Sequence, residues 1–175
     1  GAGGDISAIA LRRGGKIEDI LINKDKNTMH VMGWAAGIAV DRKVDAIFVD
    51  PIGIGKGAYD RLEELNFQVY PVDNRCTARK VGFKKLRDEL WWTVREQFEK
   101  GLISIPEDDD LRIELSSIKY HTMSDGVKIE SKDEMKRGKL KRSPDRGDAL
   151  CMTYYLGDNI FSNMNKEEDE EDEDK

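Results

Sequence analysis

The sequence predicts an α/β fold, and three features carry that expectation. A continuous apolar run, "DAIFVD" at 45–50, leads through a glycine-rich stretch into a helical repeat and then "FQVYPV" at 67–72. That is the order of a βαβ unit. Two more β-prone runs, "SAIALRR" and "KIEDILI", flank Gly14 and Gly15, a dipeptide suited to a two-residue hairpin turn. Two long stretches of helical period, "MHVMGWAAGIAVDRK" and "ARKVGFKKLRDELWWTVREQFEKG", supply the helices.

Taken in order, the hairpin at 7–22 is followed by a helix that Asn27 or Thr28 caps, with Met29, Met32, Ala36 and Ala39 on its apolar side. "DAIFVD" reads as a strand covered on both faces, and Asp50 ends it, where a βαβ unit presents side chains to a crevice. The glycines at 53, 55 and 57 then let the chain turn, and "GAYDRLEEL" returns to helical period. The long helix over 78–101 has Val81, Leu86, Leu90, Trp91, Val94 and Phe98 as its apolar side and Gly101 as its stop. Residues 111–117 suggest a short helix, and "IKYHT" and "VKIES" around "MSDG" a second hairpin. In "SPDRGDALCMTYYL", Ser143 suits a cap and Pro144 the first helical position, with Asp145 and Asp148 on one side of the first turns.

The 175 residues, 38% hydrophobic, suit one compact domain. No run approaches a membrane span, and two cysteines with two histidines offer neither a disulfide framework nor a zinc constellation. A reducing, cytoplasmic setting fits. The net charge of −6 comes from "EEDEEDED" at 167–174: without residues 167–175, 28 Lys+Arg face 27 Asp+Glu. Such an acidic run is expected to be disordered, as a solubilising terminus or as a docking tail.

The glycine run does not match a P-loop, because Lys56 is followed by Gly57, and GxGxG is not the dinucleotide fingerprint. The carboxylates are more informative. "KDEMKRGKLKR" places Lys136, Arg137, Lys139, Lys141 and Arg142 beside Asp145 and Asp148. Acids ringed by bases suit a divalent cation acting on an anionic phosphodiester. A solvated charged helix start reads equally well from these residues alone. Trp91 and Trp92 point in different directions on a helix, so at least one belongs to the core. His121 is a candidate base in the second hairpin.

Three segments, "AIFVDPIGIGKGAYDRLEELNFQVYPVD", "LRDELWWTVREQFEKGLISIPEDDDLRIELSSIKY" and "IESKDEMKRGKLKRSPDRGDALCMTYY", resemble in order the nuclease domain of the large terminase subunit, the DNA-packaging motor of tailed phages. The resemblance covers nearly all of residues 1–157, leaving 158–175 as an acidic tail. It implies an RNase H-like fold: a central mixed β-sheet flanked by helices on both faces, with a β-hairpin near residues 118–130. It further implies a Mg²⁺- or Mn²⁺-dependent endonuclease that cuts double-stranded DNA in the cytoplasm of an infected bacterial host. Asp50 matches the acid at a strand end, Asp148 the acid of the final helix, Asp145 an assisting neighbour, and Asp5 an auxiliary acid. Lys136, Arg137, Lys141, Arg142 and Arg146 become candidate DNA-backbone contacts. Two parts of the pattern are not in this chain: a first strand ending in another aspartate, expected upstream of Gly1, and the ATPase domain that would work with a small terminase subunit and a portal. The rival expectations are a Holliday-junction resolvase, a transposase, or a module that only binds DNA or docks on a portal.

Overall fold

The computed structural model describes residues 6–156 apart from 55 and 125; Asp5 and the acidic tail lie outside them. Strands β1 (Ser7–Arg13) and β2 (Lys16–Asn23) form the expected antiparallel hairpin, with Gly14 at φ +58° in its turn and a register shift at Leu11/Arg12. Helix α1 (Thr28–Arg42) starts at Asn27, whose side chain accepts from the backbone N–H groups of Met29 and His30, and ends at Lys43 in the left-handed region. Met32 and Ala39 are buried as expected, whereas Met29, in the first turn, is 61% exposed.

Strand β3 (Ile47–Val49) pairs in parallel with β4 (Val69–Pro71), completing the βαβ unit through α2 (Pro51–Ile54) and α3 (Lys56–Glu64). The chain therefore winds into a helix immediately after Asp50 rather than through an extended glycine turn. Met32, Val49, Leu62 and Val69 form a small core between α1, α3 and this strand pair.

The long amphipathic run begins its helix later than its periodicity suggests. Helix α4 spans Leu86–Glu99, and residues 78–85 are a loop. Gly82 at φ +93° breaks the run, and Lys85 in the extended region starts the helix, with Asp88 returning a bond to the Lys85 N–H at 3.1 Å. Val81 consequently projects fully into solvent and Phe98 is 40% exposed, while Leu86, Leu90, Trp91 and Val94 enter the main core.

Helix α5 (Asp109–Ser117) is capped by Asp108, and β5 (Tyr120–Met123) pairs with β6 (Gly126–Ile129) in the second expected hairpin. The short helix α6 (Lys132–Arg137) was not anticipated, although "SKDE" spells its capping box, Ser131 with Glu134. Helix α7 (Asp145–Met152) begins one residue later than expected: Pro144 is its cap position and Ser143 makes no capping bond. The main core joins Ile17 and Ile20 of β2, the buried side of α4, Leu111, Ile129, and Leu150 and Tyr154 at the C-terminal end.

Among the described residues the strands form three two-stranded ladders, two antiparallel and one parallel. The mixed α/β character is as expected. The outer edges of β1 and β3 carry no strand partner there, and a groove of about 1370 Å³ runs along both.

Candidate functional site

The groove collects side chains that are far apart in sequence. β3 delivers Asp50 to it, α7 delivers Asp145 and Asp148, and α6 delivers Lys132 and Lys136. The end of β3 and the start of α7 thus both line this groove.

Asp148 is the most tightly held of these groups. It is 5% exposed, and its Oδ1 accepts from the Trp91 indole N–H at 2.8 Å and from Arg87 Nε at 3.2 Å. Lys132 Nζ lies 2.9 Å from Oδ2 and pairs with it as an ammonium–carboxylate contact. Arg87 is itself fixed by donating Nη1 to the Glu130 carbonyl at 2.7 Å. Burial works against the Lys132 ammonium, but the Asp148 carboxylate, with Asp145 beyond it, more than offsets this and raises its pKa above the ordinary value.

Asp50 is half-buried, and its Oδ1 accepts from Ile52 N–H at 3.0 Å. One oxygen therefore also does the turn-forming work common for an aspartate after a strand. Arg75, in the β4–α4 loop, feels the Asp50 charge while bonding Asp73 through Nε and Nη2 at 3.1 and 3.0 Å.

The basic candidates divide into two groups. Lys136, Arg137 and Lys141 are exposed around α6 and the turn after it. Arg142 and Arg146 instead face α5: Arg142 reaches Asp110 at 2.7 Å, and Arg146 reaches Asp108 at 3.3 Å and Asp110 at 3.0 Å. Between them lies Glu114, fully buried, accepting from Gly147 N–H at 2.9 Å. Burial pushes the Glu114 carboxyl up to about 7 against the opposing pull of that amide and the two arginines.

Sequence reasoning did not single out Arg87, Lys132 or Glu114, and it placed Trp91 only in the core. Their partners lie 61, 57 and 33 residues away for Arg87, Trp91 and Glu114, so no local spacing marks them. His121, the candidate base, sits on exposed β5 opposite Lys128 and does not line the groove. Trp92 packs edge-on against Tyr120 at 5.1 Å.

The donors that line the groove are carboxylate oxygens, which suit hard divalent cations rather than zinc. The fit is one of type and not of number. Among the described residues no three His, Cys, Asp or Glu side chains gather closely enough to hold a metal ion. Asp148 Oδ2 is buried and faces the Lys132 ammonium.

No protein-family model matches the sequence, and no curated protein matches it. Solved structures do. The nuclease domain of the large terminase subunit gp2 of bacterial virus Sf6, in a mutant form with manganese and beta-thujaplicinol, superposes with a TM-score of 0.69 at 17% identity, over 86% of this chain and 83% of that one. The large terminase nuclease from thermophilic phage G20c gives 0.61 at 14% identity, covering 87% of this chain and 81% of its own. The Thermus phage P74-26 large terminase nuclease domain gives 0.61 at 12% identity, over 87% and 79%. At these identities the likeness establishes the fold: the chain has the RNase H-like α/β fold of phage large-terminase nuclease domains.

Proposed function

We propose that this chain is the nuclease domain of a viral DNA-packaging terminase, a divalent-metal-dependent endonuclease that cuts duplex DNA. The observation that carries the reading is the convergence of Asp50, Asp145 and Asp148 on one groove from elements nearly a hundred residues apart, beside Lys132 and Lys136. The fold shared with terminase nuclease domains supports it.

In this reading Asp50 and Asp148 hold Mg²⁺ or Mn²⁺, with Asp145 and Asp5 assisting. A bound pair of ions would supply activation of water and stabilisation of the leaving oxygen. The chain's own residues do the rest. Arg87 and Trp91 fix the Asp148 carboxylate in one orientation through Oδ1, which leaves Oδ2 facing Lys132 as the oxygen that would meet a cation. Lys132 balances the buried charge until then. Lys136, Arg137 and Lys141 take DNA phosphates, while Arg142 and Arg146, bound to the acids of α5, brace the start of α7.

Among the described residues the groove runs along the edges of β1 and β3 that have no strand partner. In the full protein, an ATPase domain, a small terminase subunit and a portal are the expected partners, and the host cytoplasm the setting. Among the described residues no helix is long and apolar enough to cross a membrane.

The test is cleavage of plasmid DNA with Mn²⁺ by the protein in its full native form. Asp50→Asn and Asp148→Asn are each expected to slow cutting by about 100-fold or more, the scale for removing a group that acts on reacting charge. Full activity in both variants, or cutting unaffected by chelator, overturns the assignment.

A further inference from the structure

The loop joining β4 to α4 begins at the groove, and beyond Asp73, which pairs with Arg75, it carries a run of cations with no further acid. Between Asn74, which lines the groove, and Arg87, which grips Asp148, stand Arg75, Arg79, Lys80, Lys84 and Lys85. Arg79, Lys80, Lys84 and Lys85 are exposed, and Val81 between them is fully so.

Such a basic run repels itself and is expected to be loose, yet this one is laced down on two sides. The Glu89 carboxylate of α4, 2% exposed, accepts from Arg79 N–H at 2.7 Å and Lys80 N–H at 3.0 Å. On the other side Val127 N–H of β6 donates to the Gly82 carbonyl at 2.8 Å. The approach there is so close that a Cβ on Gly126 would lie 2.1 Å from the Gly82 oxygen. Within the loop, Leu86 N–H donates to Cys76 O at 2.8 Å and Ala78 N–H to Lys84 O at 3.2 Å.

The direction of Glu89 matters for charge. Oε2 takes both amide bonds, and Oε1 takes the Arg79 guanidinium at 3.0 Å. Burial alone would raise its pKa, but those amides and the guanidinium outweigh it and hold it below the ordinary value. The acid thus shapes the backbone of the loop, on which Lys80, Lys84 and Lys85 are exposed, Lys80 Nζ also donating to Thr93 Oγ1 at 3.4 Å.

We infer that the loop of residues 79–85 is a second phosphate-binding surface, on which Lys80, Lys84 and Lys85 hold the backbone of duplex DNA flanking the groove. It rests on the nuclease reading for the identity of the polyanion. A ridge fixed by α4 and β6 presents its cations at set positions, whereas a mobile basic tail would spend ordering entropy on each contact. Glu89 is the positioning residue of this surface.

The experiment is binding of a fluorescent duplex of about 30 base pairs to the full native protein between about 50 and 200 mM salt, with calcium present to suppress cutting. Lys80→Ala/Lys84→Ala/Lys85→Ala is expected to weaken binding at the low-salt end and to flatten the log K against log salt slope by about 2 to 3, near 0.9 per lost phosphate contact. Lys100→Ala, at the other end of α4 about 20 Å away by helical rise, is the control and leaves the slope unchanged. A triple variant with the wild-type slope and affinity overturns the surface, as does a wild-type protein without salt-dependent binding. The two readings fail separately: cleavage lost only in the aspartate variants with an unaltered triple variant keeps the nuclease and removes the loop. Salt-sensitive binding that the triple variant flattens, without any cleavage, keeps the loop and removes the nuclease.

Discussion

The Trp91 indole on α4 donates to Asp148 Oδ1 on α7 at 2.8 Å, so a core aromatic also orients the acid at the centre of the groove. Trp91 is 4% exposed, and Gly147, next to Asp148, packs directly against its ring. Trp91→Phe keeps most of the packing and leaves Asp148 one donor short. Because Oδ1 keeps Arg87, we expect a loss of about 1.5–3 kcal/mol in urea-unfolding stability, the usual range for one hydrogen bond to a charged group. Unchanged stability together with unchanged cleavage would remove this contact from the account.

Gly147 tests the same contact from the other side. A Cβ there would stand 2.5 Å from Trp91 Cη2 and 2.9 Å from Cζ2. Gly147→Ala must push the indole away, with overpacking expected to cost about 1–3 kcal/mol. A shift in tryptophan emission should accompany it. An alanine variant with wild-type emission and stability would mean that α7 and α4 sit less tightly than described.

Lys132 Nζ stands 2.9 Å from Asp148 Oδ2, the place the proposed divalent cation would take. In Lys132→Ala the buried carboxylate loses its nearest positive charge, and metal-free stability should fall by about 1–3 kcal/mol, less than for a fully buried pair because the lysine is 41% exposed. Thermal unfolding with and without Mn²⁺ checks it: the variant should recover more on adding metal than the wild type does. Equal shifts would show that ion and ammonium do not share one place.

Glu114 makes stability depend on pH in a definite direction. Its carboxyl titrates at about 7 in the folded protein against an ordinary 4.5, so the native state holds its proton more firmly than the unfolded chain. That contribution is fully present below about pH 4.5 and is lost as pH rises through about 7. By linkage the loss is at most about 3 kcal/mol, at 1.36 kcal/mol per unit. Glu114→Gln keeps an oxygen for the Gly147 amide and should flatten the stability profile across that window. A variant whose profile matches wild type would assign the pH dependence elsewhere.

Local patterns accounted for much of the architecture because hairpin, cap and helix signals are short-range. Asn27 capped α1 as its spacing required, and Gly14 opened the first turn. The start of α4 was misplaced because Val81 and Phe98 keep helical period with the true core residues, while Gly82 and the Lys85–Asp88 box, the signals against a helix over 78–85, are weaker than an apolar repeat. At the site, Asp50, Asp145 and Asp148 were legible as strand-end and helix-start acids. Arg87 and Glu114 were not, since each gains its role from a partner on another element. Arg142 and Arg146 looked like phosphate contacts in a basic run, and only the fold reveals the acids of α5 facing them.

In the proposed function the groove lined by the end of β3 and by α7 binds a divalent cation through Asp50 and Asp148. Isothermal titration of Mn²⁺ into the full native protein tests this without relying on catalysis. The account predicts saturable binding in the wild type, weakened by about tenfold or more in both Asp50→Asn and Asp148→Asn, the scale for losing a group that shapes a metal site. Binding of equal strength in all three proteins would contradict it.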